Sequence, residues 1–218
     1  MKKIFFGKAT IVVAMLISWG ARAQVANGDF NGSVALWDWS RKTVQVSTFE
    51  GCDKGAAYTP FAPTSASTPS AGSFPAAGKV ALVTPPATYS KGSHRLCGRV
   101  EQTVHVPSGT KLKFVAKIGD VVGAAHTPRV LQDGFLDVRI TDASTNVMSK
   151  VLMVRGRSAE CPRSNPTCVS FVSYTVDMSP YWNKTVRLSF QGESRVDNDM
   201  YGMYGWAAPV YVDNVMFQ

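Results

Sequence analysis

The residues best suited to chemistry gather near the end of the chain, between Trp182 and Asp213. Tyr201–Pro209 sets Tyr201, Tyr204 and Trp206 among glycines, with Arg195 and Asp199 shortly before it. Trp182 stands in the turn-rich segment Asp177–Lys184. Flat rings stack on the C–H faces of sugars, and nearby charged side chains hydrogen-bond hydroxyls. A few polar groups in an apolar, aromatic surface is the usual layout of a small-molecule site. Trp182, Tyr201, Tyr204, Trp206, Arg195 and Asp199 are therefore candidate carbohydrate contacts. The bland alternative is a loop that packs over an open end of the fold. Trp37 and Trp39 are of the same residue type, but one of them is expected in the core.

Catalysis finds less support. A hydrolase needs a nucleophile, a base and an oxyanion site within reach of one another. His94, His105 and His126 sit in unrelated contexts, and the chain has no Gly-x-Ser-x-Gly. Carboxylate pairs for glycoside hydrolysis have no fixed spacing, so Asp133, Asp137 and Glu193 are candidates only by default. The expectation is a binding protein without enzymatic activity.

These residues must be positioned by strands. Val210–Phe217 reads as a closing strand, and its Asp213-Asn214 pair is costly in so apolar a setting unless hydrogen-bonded or liganded. Thr43–Phe49, Lys79–Thr84, Arg99–Val106, Thr110–Ile118, Phe135–Thr141, Val169–Val176 and Thr185–Phe190 alternate or are rich in β-branched residues. Arg99–Val106 and Thr110–Ile118, joined by Pro107-Ser-Gly-Thr, carry a hairpin signal. Val147–Val154 fits a strand or a short helix, and the turn residues before it favour strand. About nine strands without a helical period predict an all-β sandwich. Gly51–Gly78 has no period and reads as a long surface loop held at Cys52 alone.

Residues 1–23 combine Lys2 and Lys3, an apolar run and Ala21-Arg22-Ala23, the pattern of a cleaved signal peptide. The run falls short of the ~20 residues of a spanning helix. With no Cys after it, a lipoprotein anchor is not expected. Removing 1–23 leaves 195 of the 218 residues, enough for one domain, 24–218. Lys2, Lys3, Lys8 and Arg22 leave with it and no acid does, so the net charge of +8 becomes +4. That modest charge, without dense basic runs, does not point to nucleic acid. The destination is the periplasm or the outside of the cell. Four cysteines in an exported chain read as two disulfides. Cys161 and Cys168 flank a turn-rich loop, which leaves Cys52 with Cys97; a zinc site is the rival, without Cys-x-x-Cys or a nearby His pair.

Asn27-Gly-Asp-Phe-Asn-Gly with Trp37-Asp-Trp39 soon after, and the terminal Val212-Asp-Asn-Val, resemble the galactose-binding-like β-sandwich superfamily. Val104–Phe114 and Val176–Phe190 are similar to further segments of that family, in its order; Asn183 stands where Gly is usual. The resemblance implies a jelly-roll of two antiparallel sheets and a binding role, since the superfamily includes many carbohydrate-binding modules. The alternative is a cell-surface or matrix adhesion protein that binds a protein partner. In many relatives a structural calcium links the chain ends. Carried over, its ligands would be the Asp29 carbonyl, Asn31 and Asp213, with Asn31 in place of the usual acid. Asp213 held by backbone N–H groups without a metal is the other reading.

Overall fold

The computed structural model describes residues 25–45, 52–53, 57–65, 67–68, 78–84, 88–89, 94–118, 132–157, 171–196, 205–206 and 209–218. The signal-peptide segment 1–23 and the Cys161–Cys168 pair lie outside them. Among these residues no helix is long and apolar enough to cross a membrane. The described residues form twelve strands: β1 Asp38–Gln45, β2 Thr59–Pro60, β3 Ala81–Thr84, β4 Thr88–Tyr89, β5 His94–His105, β6 Lys111–Ile118, β7 Gln132–Asp142, β8 Met148–Arg157, β9 Val172–Asp177, β10 Thr185–Val196, β11 Gly205–Trp206 and β12 Val210–Phe217. The three beyond the expected nine are β2, β4 and β11. Each is a two-residue pairing, too short to leave an alternating pattern.

Two antiparallel sheets form a sandwich, with orders β2-β1-β5-β10-β7-β8 and β3-β12-β6-β9, beside a β11-β4 ribbon. Alternation drives the layering, because every second side chain of a strand points to the same face. Val100, Val104, Leu136, Val138, Ile140, Leu188 and Phe190 of one sheet meet Leu112, Phe114, Ala116, Val210 and Val212 of the other. Phe114 and Phe190 close edge-to-face across the core at 5.1 Å.

Three sequence expectations change. The β5–β6 turn is not a hairpin: β5 pairs with β1 and β10, β6 with β12 and β9, so Pro107–Thr110 carries the chain from one sheet to the other. Hairpin and sheet-crossing arch give the same alternation, since both aim Val104 and Leu112 at one core. β5 and β10 also run five and six residues further than their alternating segments. Gly98 and Gly192 interrupt the apolar pattern and stand opposite each other. A Cβ on Gly98 would overlap the Val83 carbonyl, and one on Gly192 the Thr84 hydroxyl. The two glycines let β3 of the opposing sheet press onto the strand pair.

The third change concerns Gly51–Gly78, which is anchored well beyond Cys52. Cys52 is bonded to Cys97 on the outer face of the six-stranded sheet. Asp53 reaches Arg139 on β7, Tyr58 lies against Arg99 and Lys42, and β2 pairs with β1. Phe61 then turns onto Trp39 at 5.9 Å, and Leu82 N–H donates to the Ser67 carbonyl at 2.8 Å. The ambiguous segment after Asp142 is strand β8. The Asp142 carboxylate accepts from Ser144 and Thr145, and Asn146 takes the left-handed conformation at φ 56°.

Candidate functional site

The two chain ends meet. Asn27 and Phe30 adopt left-handed conformations, φ 50° and 53°, and fold residues 27–32 into a tight loop. The Asn27 side chain takes the Gly32 N–H at 2.6 Å and donates to the Ser33 carbonyl at 3.0 Å. The Val215 N–H donates to the Gly28 carbonyl at 2.9 Å, and a Cβ on Gly28 would overlap the Val215 carbonyl. Phe30 is buried against Trp37 and Trp39. Both tryptophans are core, where one was expected. Each indole N–H finds a backbone carbonyl of the preceding segment, Asn27 for Trp37 and Val34 for Trp39, both at 3.1 Å.

Asp213 sits at this junction, 1 % exposed, where β12 breaks register between Asp213 and Met216. Its Oδ1 is buried without a hydrogen-bond partner. Burial raises its pKa to about 7, partly opposed by the Asn214 backbone N–H and reinforced by the Asp29 charge. The Asp29 carboxylate accepts from the backbone and side-chain amides of Asn31, at 3.3 and 3.2 Å. Asn31 Oδ1 accepts the Lys79 N–H at 2.7 Å, beside Gly78 at φ 106°.

An orphaned buried carboxylate oxygen that feels the charge of a second acid fits a hard cation. Asp213 and Asp29 would hold it, with backbone oxygens completing the shell, and calcium would supply charge neutralisation rather than reaction chemistry. Asn31 is less suited to the ligand role carried over for it, because its side-chain oxygen already serves Lys79. No cluster of three or more His, Cys, Asp or Glu gathers among the described residues.

Of the carbohydrate candidates, only the Trp182 side chain is described. A 3₁₀ turn, Ser179–Tyr181, precedes it, and the Asp177 carboxylate accepts the Ser179 N–H and hydroxyl at its start. Asn183 follows at φ 59°, its N–H donated to the Val106 carbonyl at 2.8 Å. The indole N–H donates to the Thr110 carbonyl at 3.0 Å, which fixes a ring that remains 39 % exposed. Arg195 lies on β10, paired with Arg95 and Asp133, and Trp206 lies on β11 opposite Thr88. Their side chains, and Tyr201, Tyr204 and Asp199 entirely, lie outside the described residues. Trp182 precedes β10 and the Tyr201–Pro209 loop follows it. A twelve-residue strand spans roughly 35–40 Å. Trp182 and Arg195 therefore lie toward opposite ends of β10.

Two features escaped the sequence reading. On the outer face of the six-stranded sheet, Arg139 forms ion pairs with Asp53 and Asp137, Lys150 with Asp137, and Arg95 with Glu193. Tyr58, between Arg99 and Lys42, has its pKa pushed up to about 12 by burial. The other feature is Arg41, turned inward from β1 against Phe61. It falls in the inward phase of Trp39, which was the available signal.

No family model matches the chain, and neither does any curated protein. Among solved structures it is similar to a carbohydrate-binding module specific for non-crystalline cellulose: 10% identity, 64% of this chain, 80% of that one, TM-score 0.38. It is also similar to a carbohydrate-binding module in complex with β-1,4-galactotriose: 11% identity, 88% and 98% coverage, TM-score 0.35. A third is the enzymatically active domain of a bacteriophage tailspike protein, with 15% identity and TM-score 0.33. It matches 89% of this chain but 21% of that one. These likenesses concern the β-sandwich alone. The ligand must be read from this chain's own residues.

Proposed function

We propose that this is an exported, non-catalytic carbohydrate-binding protein that contacts its ligand through aromatic rings on the loops of the sandwich. The supporting observation is Trp182, a large exposed ring whose orientation is fixed by its own N–H. A ring already immobilised loses little conformational freedom on stacking against a sugar. The Tyr201–Pro209 segment, whose Gly205 and Trp206 pair with β4, is the second candidate platform. A calcium ion at Asp213 and Asp29 would tie the chain ends together.

Trp182→Ala tests the reading by calorimetry against oligosaccharides chosen from a glycan array. Binding should be lost with the melting temperature nearly unchanged, because a ring this exposed contributes little to the unliganded fold. A buried Trp replaced by Ala would instead cost roughly 3–5 kcal/mol. Trp206→Ala asks the same of the second candidate platform. Retained affinity in both variants would refute the aromatic-platform reading.

A protein partner is the second reading. It is favoured by β8, an edge strand along which Met148 and Met153 are exposed, with exposed Val147 just before it. Pull-down by the wild type that Met148→Lys/Met153→Lys abolishes, with no glycan binding, would establish it.

A further inference from the structure

Most of the described cations of the six-stranded sheet that lie under cover have an acid beside them: Arg95 has Glu193, Arg99 has Glu101, and Arg139 has Asp53 and Asp137. Arg41 is the exception. It lies on β1 between Thr59 of β2 and Gly98 of β5, with its side chain turned between the sheets. Its Nη2 donates to the Leu82 carbonyl at 3.2 Å and to the Ser67 hydroxyl at 3.4 Å. The guanidinium carbon stands 3.9 Å from the centroid of the Phe61 ring. Its Nε is buried without a partner. Burial lowers its pKa to about 10, and no charged neighbour opposes the shift.

Such a cation is expensive for the fold. Carbonyl and hydroxyl acceptors recover part of the lost hydration but leave the charge unneutralised. A neutral side chain could fill the same space between Phe61 and Leu82. Arg41 is half-buried rather than sealed, and among the described residues only its Nη2 is engaged. The guanidinium therefore suits a planar anion, because its N–H groups match a carboxylate as a fork. Phe61 covers one face of the group and shields that interaction from water.

We propose that Arg41 and Phe61 form a subsite for the carboxylate of an acidic sugar, a uronate residue. A sugar is favoured over an acidic peptide because hydroxyl side chains flank the guanidinium: Ser67 touches it, and Thr59 and Thr64 are exposed on the neighbouring segments. The subsite shares no residue with the Trp182 platform. Arg41 pairs at Gly98, whereas Trp182 sits beyond the opposite end of β5, so either reading stands or falls without the other.

Calorimetry of the intact protein with tri-galacturonate and with its methyl ester tests the proposal, with poly-glutamate as the peptide probe. Wild type should bind the acid and not the ester. Arg41→Met should bind about 10- to 100-fold more weakly, as expected when a charge-assisted hydrogen bond is lost. Its melting temperature should equal or exceed that of wild type, since no ion pair is broken. Arg41→Lys keeps the charge without the fork, so it covers the case in which Arg41→Met fails to fold; it should lose most of the affinity. Trp182→Ala should bind tri-galacturonate as wild type does. Equal binding of acid and ester, no binding by wild type, or undiminished binding by Arg41→Lys would overturn the subsite. Binding of poly-glutamate alone, dependent on Arg41, would overturn the sugar assignment.

Discussion

Asp213→Asn separates the two accounts of the chain-end junction. Asp213 holds its proton to about pH 7 when folded, against 3.8 for an ordinary aspartate. A raised folded pKa means that the stability contributed below 3.8 is lost as pH climbs through 7. At 1.36 kcal/mol for each pH unit, the loss is about 4 kcal/mol. For a chain of this size that is roughly 10 °C of melting temperature. Asn has nearly the same shape and does not ionise, so it removes the slope. In metal-free buffer the variant should match wild type near pH 4 and melt several degrees higher at pH 8.

Calcium inverts the comparison, because a cation requires the ionised carboxylate. It should stabilise wild type at pH 8 by about 2.7 kcal/mol at a hundredfold excess over Kd, and leave Asp213→Asn unmoved. Thermal unfolding followed by circular dichroism, at several pH values with chelator and with calcium, reads both effects. A wild-type curve that tracks the variant at every pH would show that Asp213 ionises normally and is not a buried orphan. A normal pH slope that calcium does not alter would refute the cation and leave a structural acid.

Two other perturbations test the frame. Gly98→Ala forces a Cβ onto the Val83 carbonyl and should destabilise by about 3 kcal/mol or more, measured in urea; Gly109→Ala, with open space around it at φ 75°, should cost less. Cys52→Ser/Cys97→Ser opens a 45-residue loop, and the chain-entropy estimate puts the loss at up to about 4 kcal/mol. An unchanged denaturation midpoint would show that Asp53 and Tyr58 hold the 52–60 strap without the bond.

The sandwich was legible because most of its longer strands carry the period of two; β8 was ambiguous with a short helix, and β1 lies earlier, at Asp38–Gln45, than the Thr43–Phe49 expected from β-branched content. Sheet membership was not legible, as the β5–β6 connection shows, since the sequence records which side chains face inward but not which sheet bears them. Residue burial failed at Asp137, Arg139, Ser189 and Gln191. All four sit in the outward phase of their strands, where polar residues normally meet water, yet all are buried. The physical reason is a strap from distant sequence: Asp53 bonds Arg139 and Gln191 from across the chain. Burial of both Trp37 and Trp39, where one was expected, has a different reason in Trp37. This residue precedes β1, outside the segment read as strand, and the Asn27 carbonyl that takes its N–H depends on the left-handed turn of the loop.

The same reasoning orders the candidate sites by what each demands of the fold. Trp182 demands little: a 3₁₀ turn and one hydrogen bond orient a ring that the core does not use. Asp213 and Arg41 demand more, since each places a charged group under cover without an opposite charge beside it. Such groups destabilise a fold that has nothing to bind, and a ligand of opposite charge relieves the strain only in the bound state. Asp213 calls for a cation and Arg41 for an anion. Ligand-free protein should therefore gain stability from neutral substitutions at both positions, whereas Trp182→Ala should leave it unchanged. The sign of the change in melting temperature thus distinguishes a residue retained for binding from one retained for packing, before any ligand is identified.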